Sequence, residues 1–585
     1  MKPSFSVRVS FAALQRIIRL PELRGWQPFC VALLLFSSAT ATVSSAQTFK
    51  KLADFNGSNG SYPYGPLAQG TDGNFYGTTE DGGTSNDGTV FKMTPAGTVT
   101  TIYSFCFETD CRDGIAPFGE LALGTDGNFY GTTNAGGEDY YAECNSGCGT
   151  IFKITPSGTL TTLYTFCSES GCVDGKNPVS GLVLGSDGNF YGTTVSGGPA
   201  GSGTIFKITP SGLMTTLSGF CPQSGCTASS GAYPEAGLVQ GADGNFYGTT
   251  EDGGSDGEGI VFKMTPSGVT TTLHNFCSET NCSDGESVWD GLVQGADGNF
   301  YGTTGGGGAH NGEGEVFKIT PSGKLSTVYS FCDNNDCSDG QNPFAALAEG
   351  SDGNLYGTTE DGGGHAYGTV FRVTPSGTLT TLHSFDETDG SYAAAAMIQA
   401  VNGDFYGTTS EGGADSLGTV FRISVGLSPV IEAFTYRGKL GNTIGFLGQG
   451  FTSSTTVSFN GTKSSTVNVV SGHYLTATVP DQATTGDVTA STSGGTLKSN
   501  NTFHVIPQIT SFSPESGPAD TVVKIDGETF TGATSVTFGG VHATSFKVDS
   551  YTEITVTVPS GAKTGKITVT TPGGVATSAG TFTVP

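Results

Sequence analysis

The chain has 585 residues, of which 52 are acidic and 25 are basic, so its formal net charge at pH 7 is −27. Nucleic-acid binding requires a basic surface, and this charge therefore argues against a nucleic-acid partner. Glycine is very abundant, with 92 residues, yet 35% of the chain is hydrophobic. This combination favours a folded, turn-rich all-β protein over a disordered one.

Residues 1–46 have the composition of a secretory signal peptide. Five basic residues precede the apolar run "FCVALLLF" at 29–36, and small residues ending in "SSA" follow it before Gln47. The run is too short to span a bilayer, and no second hydrophobic segment follows it in the sequence. We therefore expect a protein that is exported to the cell surface or the extracellular medium, without membrane insertion of the mature chain.

The phrase "DGNFYGTT" and two close variants of it occur seven times, starting at residues 72, 126, 187, 243, 297, 352 and 402. The intervals between copies run from 50 to 61 residues, which is typical of blades or solenoid coils rather than of helical repeats. In the third copy, four short β-type segments follow one another: "GLVLG", "FYGTT", "TIFKI" and "LMTTLSGF". Glycine, proline and asparagine clusters separate them, so each copy predicts a four-stranded antiparallel sheet.

Within each copy, "DGN" is expected to form the first hairpin turn and "FYGTT" the second strand. The phrase is thus interpreted as architecture rather than as a metal or sugar site repeated seven times. The last copy stops after its third strand, "GTVFRIS" at 418–424, while "TFKKLADF" at 48–55 aligns with the fourth strand "TVTTIYSF" at 98–105. This split repeat predicts a ring: a seven-bladed β-propeller in which the N-terminal strand completes the last blade.

Long, variable loops are predicted on one face of this ring, where the connections between blades and the loops between second and third strands lie. Rigid scaffolds commonly bind ligands through such loops. The candidate ligand-binding residues are Asp81, Asp252, His310, Asp361 and His365. No cofactor is required by the sequence, but loop carboxylates such as Asp81, Asp252 and Asp361 admit a stabilising Ca²⁺ ion, and the identity of any metal is left open.

The cysteines predict local disulfides. Apart from Cys30, they fall into closely spaced pairs, as is usual for exported proteins, and no matching histidine cluster favours zinc. The predicted pairs are Cys106 with Cys111, Cys144 with Cys148, Cys167 with Cys172, Cys221 with Cys226, Cys277 with Cys282, and Cys332 with Cys337.

The pattern "DGNFYGTT … GTVFKITPSG … TTLYSF" over residues 48–425 resembles the GloVer repeat of exported bacterial proteins. The resemblance implies an envelope or extracellular location and no particular activity. Residues 507–584, with "SPESG", "VTFGG", "ITVTVP" and "TTPGG" in order, resemble the immunoglobulin-like IPT/TIG domain, and residues 429–506 resemble a diverged copy of it. These domains imply a spacer, adhesion or interaction role. The expected organisation is a signal peptide at 1–46, a propeller at 47–426, and β-sandwiches at 427–506 and 507–585.

No motif of a known catalytic type occurs, and His274 and His383 occupy a strand position that is tyrosine in other copies. We therefore expect a binding or adhesion protein, not an enzyme, whose partner is a glycan or a surface protein. The alternatives are a carbohydrate-active hydrolase or lyase on a propeller scaffold, for which paired carboxylates in one cleft would be diagnostic, and a structural envelope component. The sequence carries no indication of the oligomeric state.

Overall fold

The computed structural model describes residues 47–138, 144, 146–221, 230–309, 312–332 and 336–585. The predicted signal peptide, His310 and Cys226 lie outside these residues. Over the described ranges the protein is all-β, and none of its helices has the length and apolar character needed to cross a membrane.

In this part of the chain, residues 48–424 form seven four-stranded antiparallel sheets of the same strand order. The first strands are Ala68–Gln69, Ala122–Leu123, Val183–Leu184, Val239–Gln240, Val293–Gln294, Ala348–Glu349 and Ile398–Gln399. The second strands are Phe75–Thr79, Phe129–Thr133, Phe190–Thr194, Phe246–Thr250, Phe300–Thr304, Leu355–Thr359 and Phe405–Thr409. The third strands are Thr89–Met93, Thr150–Ile154, Thr204–Ile208, Ile260–Met264, Glu315–Ile319, Thr369–Val373 and Thr419–Ser424.

The fourth strands are Val99–Ser104, Leu160–Thr165, Met214–Gly219, Thr270–Asn275, Leu325–Ser330, Leu379–Ser384 and, for the last sheet, Thr48–Asp54. The last sheet therefore joins the two ends of the repeat region, with Thr48 opposite Ser424 and Asp54 opposite Thr419. A further two-stranded ladder pairs Gly231–Ala232 with Asp252–Gly253. We refer to the sheets as repeats 1 to 7 in the order of their first strands.

The phrase "DGNFYGTT" is explained by hydrogen bonds that begin at its aspartate. In repeat 1, Asp72 accepts hydrogen bonds from the backbone and side-chain nitrogens of Asn74 at 3.1 and 2.8 Å, and from the Tyr76 hydroxyl at 2.9 Å. Lys92 on the third strand completes the set with an ion pair of 2.7 Å to Asp72. Gly73 has a φ of +79°, which the tight turn requires and which glycine adopts without strain.

The second half of the phrase holds neighbouring strands and repeats together. A Cβ atom at Gly77 would lie 2.6 Å from the ring of Phe91, so only glycine fits there. The hydroxyl of Thr78 donates to the Gly119 carbonyl of repeat 2 at 3.0 Å, and the Thr79 and Thr89 hydroxyls share a hydrogen bond of 2.8 Å. The phrase is thus architecture, as the sequence predicts.

Aromatic contacts link each repeat to the next. The Tyr76 ring of repeat 1 packs on Phe129 of repeat 2 with 4.2 Å between centroids, and both side chains are buried. The same contact recurs along the chain at 4.0 to 4.2 Å, except that repeat 6 places Leu355 against Tyr301. Tyr406 of repeat 7 packs on Phe75 of repeat 1 at 4.2 Å, so the series of contacts returns to its start.

Disulfides close the connections that leave the fourth strands, and one further bridge, Cys144–Cys148, lies between the second and third strands of repeat 2. The described bridges are Cys106–Cys111, Cys144–Cys148, Cys167–Cys172, Cys277–Cys282 and Cys332–Cys337, as predicted. Cys221 is also disulfide-bonded. Single 3₁₀ turns occur at Thr109–Cys111, Ser170–Cys172 and Thr280–Cys282.

A carboxylate in the same connections pairs with the fourth strand. In repeat 1 the Tyr103 hydroxyl donates to the buried Asp113 at 2.8 Å. His274 takes the place of this tyrosine and contacts Asp284 at 3.1 Å, and His383 contacts Asp389 at 2.8 Å. The two histidines therefore have structural partners, in agreement with their interpretation as packing residues.

Two β-sandwiches follow the repeats. The first contains Glu432–Ala433, Arg437–Gly438, Thr443–Leu447, Thr456–Phe459, Thr462–Lys463, Val467–Val469, Tyr474–Thr478, Val488–Thr492, Gly495–Lys498 and His504–Val505. The second contains Gln508–Ser513, Val522–Glu528, Ser535–Phe538, Val541–His542, Phe546–Ser550, Glu553–Thr557, Ile567–Thr571 and Gly574–Thr577. Each sandwich has its own apolar core, centred on residues such as Phe446 and Phe459 in the first and Ile525 and Phe538 in the second.

The first sandwich contacts the repeats on the side of the "DGN" turns. Ser471 donates a hydrogen bond of 3.0 Å to the Thr71 carbonyl of repeat 1, and the Val430 amide donates to the Val401 carbonyl of repeat 7 at the same distance. Asn500 donates to the side chain of Gln399 at 2.6 Å. The opposite side, with the disulfide-stapled connections, is left open by these contacts.

Replacement of Tyr406 by alanine tests the contact between repeats 7 and 1. We expect Tyr406→Ala to lower the free energy of unfolding by about 3–5 kcal/mol, because it removes a buried aromatic side chain and leaves a cavity beside Phe75. Tyr191→Ala is the matched control, since Tyr191 makes the same contact between repeats 3 and 4 at 4.0 Å. Urea unfolding of both variants would contradict the contact if Tyr406→Ala cost less than about a third of the control.

Glu315 provides a second test, because it is a carboxyl group with 0% exposure at a position that is threonine in five other repeats. Neither of its oxygens has a hydrogen-bond partner within 3.5 Å among the described residues, and burial raises its pKa to about 8, although an interaction with Thr327 offsets part of the rise. The folded state thus keeps a proton that the unfolded state loses near pH 4.5, so stability falls as pH rises from about 4.5 to 8.

We expect Glu315→Thr to remove this loss and to restore the threonine pair with Thr304. At pH 8 the variant should be more stable than the wild type by about 2 kcal/mol, with little difference at pH 4.5. Urea unfolding at both pH values measures the change. Equal stability of the two proteins at pH 8 would contradict the assignment.

Candidate ligand-binding cavity

A cavity of about 610 Å³ lies where the seven first strands begin, and all seven repeats contribute to its wall. The residues four positions before each first strand form a ring around it: Tyr64, Phe118, Val179, Glu235, Trp289, Phe344 and Ala394. Two positions further along, a second ring lines the cavity, formed by Pro66, Glu120, Gly181, Gly237, Gly291, Ala346 and Ala396. The cavity is therefore built from equivalent positions of a repeated framework, but its side chains differ from repeat to repeat.

The framework fixes the backbone of these segments. The first threonine of "GTT" donates a hydrogen bond to a carbonyl in the lining segment of the next repeat, as Thr132 does to Ser180 at 2.8 Å and Thr303 does to Ala345 at 3.0 Å. In repeats 2 to 6 the acceptor is the residue between the two rings, and in repeats 7 and 1 it is the residue just before the first ring, Ala393 or Pro63. A constant scaffold thus presents variable side chains.

Aromatic side chains form two parts of the wall. Tyr64 and Phe118 lie with 5.7 Å between ring centroids, and Trp289 and Phe344 meet edge to face at 5.9 Å. Trp289 is 41% exposed, so a large part of its indole faces solvent. The two pairs belong to repeats 1 and 2 and to repeats 5 and 6, on different sides of the cavity.

Carboxyl groups supply the remaining polar wall. Glu120, Glu235, Asp290 and Glu360 line the cavity, whereas no Lys, Arg or His does so within the described ranges. Burial and the charges of Asp290 and Glu432 raise the pKa of Glu120 to about 7, although water reaches this side chain within the cavity. Burial and the neighbouring Asp361 and Glu411 likewise raise the pKa of Glu360 to about 7.

One of these carboxyl groups, Glu235, interacts with a further glutamate, Glu251, which does not line the cavity. Burial and a hydrogen-bonded interaction with Glu251 raise the pKa of Glu235 to about 7. Glu251 follows the second strand of repeat 4 and Glu235 precedes its first strand, so the pair joins two segments of the same repeat. Near neutral pH this pair holds a proton that an isolated glutamate would have lost.

The first sandwich covers the other end of the same axial space. A second cavity of about 350 Å³ continues along the first strands from Glu120 and is closed by Glu432, Phe434 and Tyr436. Burial raises the pKa of Glu432 to about 7. The first sandwich thus covers the end of this space that lies away from the 610 Å³ cavity.

Among the described residues that were predicted from the sequence, Asp81, Asp252, Asp361 and His365 do not line this cavity. Asp81 and Asp361 form backbone bridges to Ser61 and Gln341, and Asp252 pairs with Ala232 in the two-stranded ladder. His365 is exposed on a loop of repeat 6, and His310 lies outside the described residues. Their roles in binding a ligand or Ca²⁺ stay predictions.

Glu360, which precedes Asp361, does line the cavity, and Glu251, which precedes Asp252, interacts with the lining residue Glu235. Sequence reasoning missed the ring of Tyr64, Phe118 and Trp289, although the sequence contains a signal for it. At this position the otherwise uniform copies carry tyrosine, phenylalanine, valine, glutamate, tryptophan, phenylalanine and alanine.

Possible metal-ligand groups in the described part of the chain all include disulfide-bonded cysteines: Cys148 with Cys167 and Cys172, Asp87 with Cys106 and Cys111, and Glu286 with Cys277 and Cys282. A metal binds the thiolate form of cysteine, which a disulfide does not offer. These three groups are therefore disulfide sites.

Known proteins resemble the chain in two regions. The profile of the Gloeobacter/Verrucomicrobia repeat matches residues 41–144, 108–288 and 234–469, and that of the IPT/TIG domain matches residues 507–584. No curated protein was found to match the chain in sequence.

Solved structures give more distant matches. A fungal alcohol oxidase of the AA5 family, in complex with copper, shares 13% identity, with 78% of this chain and 98% of that chain covered, at a TM-score of 0.42. A putative 6-phosphogluconolactonase from Bacteroides uniformis shares 16% identity, with 55% and 84% covered, at 0.36. The surface glycan-binding protein PbSGBP-B from Prevotella bryantii shares 21% identity, with 27% and 39% covered, at 0.21. We draw no conclusion from these matches, since all three TM-scores lie below 0.5.

The raised pKa values predict that the stability of the protein depends on pH. Glu235→Gln should make this dependence weaker. Because the folded state holds protons near pH 7 that the unfolded state has lost, stability falls as pH rises from about 4.5 to 7. At pH 8 we expect Glu235→Gln to be more stable than the wild type by about 1 kcal/mol, with no gain at pH 4.5. Thermal unfolding measures this, with Glu515→Gln as the control on an exposed glutamate of the second sandwich. A gain that is independent of pH would contradict the account.

Proposed function

The chain belongs to the Gloeobacter/Verrucomicrobia repeat family, and we propose that it is an exported protein that binds a glycan in the 610 Å³ cavity. In this proposal residues 47–426 form a closed seven-bladed propeller, and the sandwiches at 427–506 and 507–585 are spacer or interaction domains. The cell surface or the extracellular medium is the site of action.

Two contacts support the closed ring. Thr48–Asp54 pairs with the third strand of repeat 7, and Tyr406 of that repeat packs on Phe75 of repeat 1. Closure leaves no sheet edge at either end of the series, which an open solenoid would expose. The described disulfides support export, because such bonds persist in oxidising compartments.

The proposal of a glycan ligand rests on one observation: aromatic faces and carboxyl groups line the same cavity. Trp289 and Tyr64 offer flat apolar surface to the C–H faces of a sugar ring, and Glu235, Glu360 and Asp290 offer acceptors for its hydroxyl groups. A volume of about 610 Å³ accommodates a short oligosaccharide, since small-molecule sites span about 300–1,000 Å³.

Charge selects among glycans. A sugar acid would bring a negative charge beside Glu120, Glu235 and Glu360 without a cation to balance it, which costs free energy in a partly desolvated site. Neutral sugars avoid this repulsion, and positively charged amino sugars are attracted to the carboxyl groups. The preferred ligand is therefore a neutral or amino sugar.

Binding is favoured over glycoside hydrolysis by the contact between Glu235 and Glu251. The two carboxyl groups of a glycosidase lie about 5–10 Å apart, so that a sugar or a water molecule fits between them. Glu235 and Glu251 interact with each other instead, since Glu251 contributes to the raised pKa of Glu235. The pair is therefore better suited to share a proton and accept hydrogen bonds from ligand hydroxyl groups. It is less suited to act as a general acid and a general base on opposite sides of a glycosidic bond.

A glycan array with the protein 47–585 tests the proposal, with and without Ca²⁺ and with residues 427–585 as the control. The account expects binding of neutral or amino-sugar oligosaccharides by 47–585 and none by the control fragment. Glycan binding by the fragment 427–585 would show that the sandwiches, and not the cavity, bind the glycan. No binding, together with release of sugar from the same panel, would favour the enzyme, and no binding or release would leave a protein partner or a structural role.

Replacement of the cavity aromatics gives a more specific prediction. We expect Trp289→Ala and Phe344→Ala each to weaken glycan binding at least tenfold, about 1.4 kcal/mol, because each removes apolar surface from the cavity wall. Phe107→Ala is the matched control: Phe107 is 81% exposed and lies in a disulfide-stapled connection. Calorimetric titration with the best array ligand compares the three variants. Equal affinities for Trp289→Ala and Phe107→Ala would place the ligand elsewhere.

A further inference from the structure

Arg437 is a buried cation in a strongly acidic protein. It begins the short strand Arg437–Gly438, which pairs in parallel with His504–Val505 in the first sandwich, and only 8% of its surface is exposed. Burial lowers the pKa of its guanidinium group, but an arginine stays protonated at neutral pH. A full positive charge is thus held away from bulk water.

Three parts of the protein meet at this side chain. A Cβ atom at Gly244, in the "DGN" turn of repeat 4, would lie 3.1 Å from Nη2 of Arg437. A Cβ atom at Gly574, in the second sandwich, would lie 2.9 Å from the same nitrogen. Both glycines have positive φ values, of +86° and +121°. The guanidinium therefore lies against two backbone segments that can approach it this closely only because they lack a Cβ atom.

The charge of Arg437 is not balanced by a carboxylate. Nε and Nη1 have no hydrogen-bond partner, and Arg437 forms no ion pair with any residue that the structure describes. The acid whose charge acts on it is Asp243, but Asp243 already accepts hydrogen bonds from Asn245 and Tyr247 and forms an ion pair of 2.7 Å with Lys263. An uncompensated buried charge is costly, and proteins normally pair it.

Arg437 faces a cavity of about 350 Å³ between repeats 3 to 5 and the first sandwich. The polar part of its wall consists of amides, hydroxyls and an imidazole, from Gln240, Gln294, Thr435, Tyr436, Asn501, Thr502 and His504. No Asp or Glu lines it within the described ranges, although the chain has twice as many acidic as basic residues. This wall offers donors and a positive charge, in contrast to the acidic wall of the 610 Å³ cavity.

We infer that this cavity binds a small anionic group, a sulfate, phosphate or carboxylate, through the guanidinium of Arg437. An oxyanion in this cavity would approach Nη2, because Nε and Nη1 have almost no accessible surface, and it would form a short, charge-assisted hydrogen bond there. The amide groups of Gln240, Gln294 and Asn501 and the hydroxyl of Thr502 line the space around such an anion. The site is separate from the glycan cavity and depends on none of its residues.

An anion in this place would also join three domains. It would add contacts between the turn of repeat 4, the first sandwich and the second sandwich, which meet at Gly244, Arg437 and Gly574. Anything that binds the folded state alone stabilises it by mass action. Specific anions should therefore raise the unfolding temperature of the whole protein, beyond the effect of ionic strength.

Calorimetric titration of the protein 47–585 with sulfate, phosphate, acetate and glucuronate, at ionic strength held constant with chloride, tests the inference. We expect saturable binding of at least one oxyanion, weakened at least tenfold in Arg437→Met. Tighter binding of glucuronate than of the other three anions would identify the anion as part of a sugar. Tighter binding of sulfate or phosphate than of glucuronate and acetate would identify it as a free inorganic ion. Arg422→Met is the matched control, because Arg422 is half-buried and ion-paired with Asp404; it should bind as the wild type does.

Equal binding by the wild type and Arg437→Met, or no binding of any of the four anions, would overturn the inference. If Arg437→Met fails to fold, crystals of the wild type grown with selenate supply the second measurement. An anomalous peak within hydrogen-bonding distance of the Arg437 guanidinium is expected, and its absence at saturating selenate would contradict the site. Glycan binding by Arg437→Met is expected to be unchanged, so the two proposals fail separately.

Discussion

The contact between each "FYGTT" tyrosine and the next repeat is the interaction on which the rest of the structure depends. A single four-stranded sheet cannot bury both of its faces, so every repeat needs a neighbour on each side. Tyr76 meets this need by packing on Phe129, while its hydroxyl is satisfied by Asp72 in the preceding turn. The same aspartate fixes the turn and attracts Lys92 from the third strand. One phrase therefore sets the turn, the strand and the packing between repeats.

The difference between framework residues and cavity residues explains why the copies are so alike and where they differ. The residues that build the framework hardly vary, since each of them touches a partner that also recurs. The ring that includes Tyr64, Glu235 and Trp289 faces an open cavity instead, and the contacts of its side chains, such as Tyr64 with Phe118, do not recur in every repeat. Variation is thus concentrated at positions that line the cavity, where the scaffold tolerates it. The first sandwich restricts access to this cavity by covering its other end with Phe434 and Tyr436.

Much of the architecture could be predicted from the sequence because its signals are local. The turn at Asp72 and Gly73, the strand Phe75–Thr79, the pairing of Thr48–Asp54 with the last repeat, and the tyrosine position taken by His274 all follow from the alignment of the copies. The cavity could not be predicted in the same way, because its wall forms only when seven short segments converge. Loop length directed attention to Asp81 and Asp361, whereas the side chains that reach the cavity stand one residue before such positions or at the start of the first strands.

Contacts between distant segments could not be predicted from the sequence either, because they form only when the chain folds. Nothing near Arg437 in the chain indicates that a turn of repeat 4 and a glycine of the second sandwich enclose it. The raised pKa of Glu235 similarly depends on Glu251, which is brought close by the sheet of repeat 4. Electrostatic properties of this kind belong to the assembled fold, and the two cavities of opposite polarity are visible only there.

Trp289 offers the most direct measurement of the central claim, that the ring of variable residues is the glycan site. The sequence contains two tryptophans, and the other, Trp26, lies in the predicted signal peptide, so the emission of the protein 47–585 reports Trp289 alone. Titration with neutral or amino-sugar oligosaccharides should shift or quench this emission in a saturable manner, with the same dissociation constant as calorimetry. Calorimetric binding that leaves the emission of Trp289 unchanged would contradict the claim and place the glycan outside the cavity.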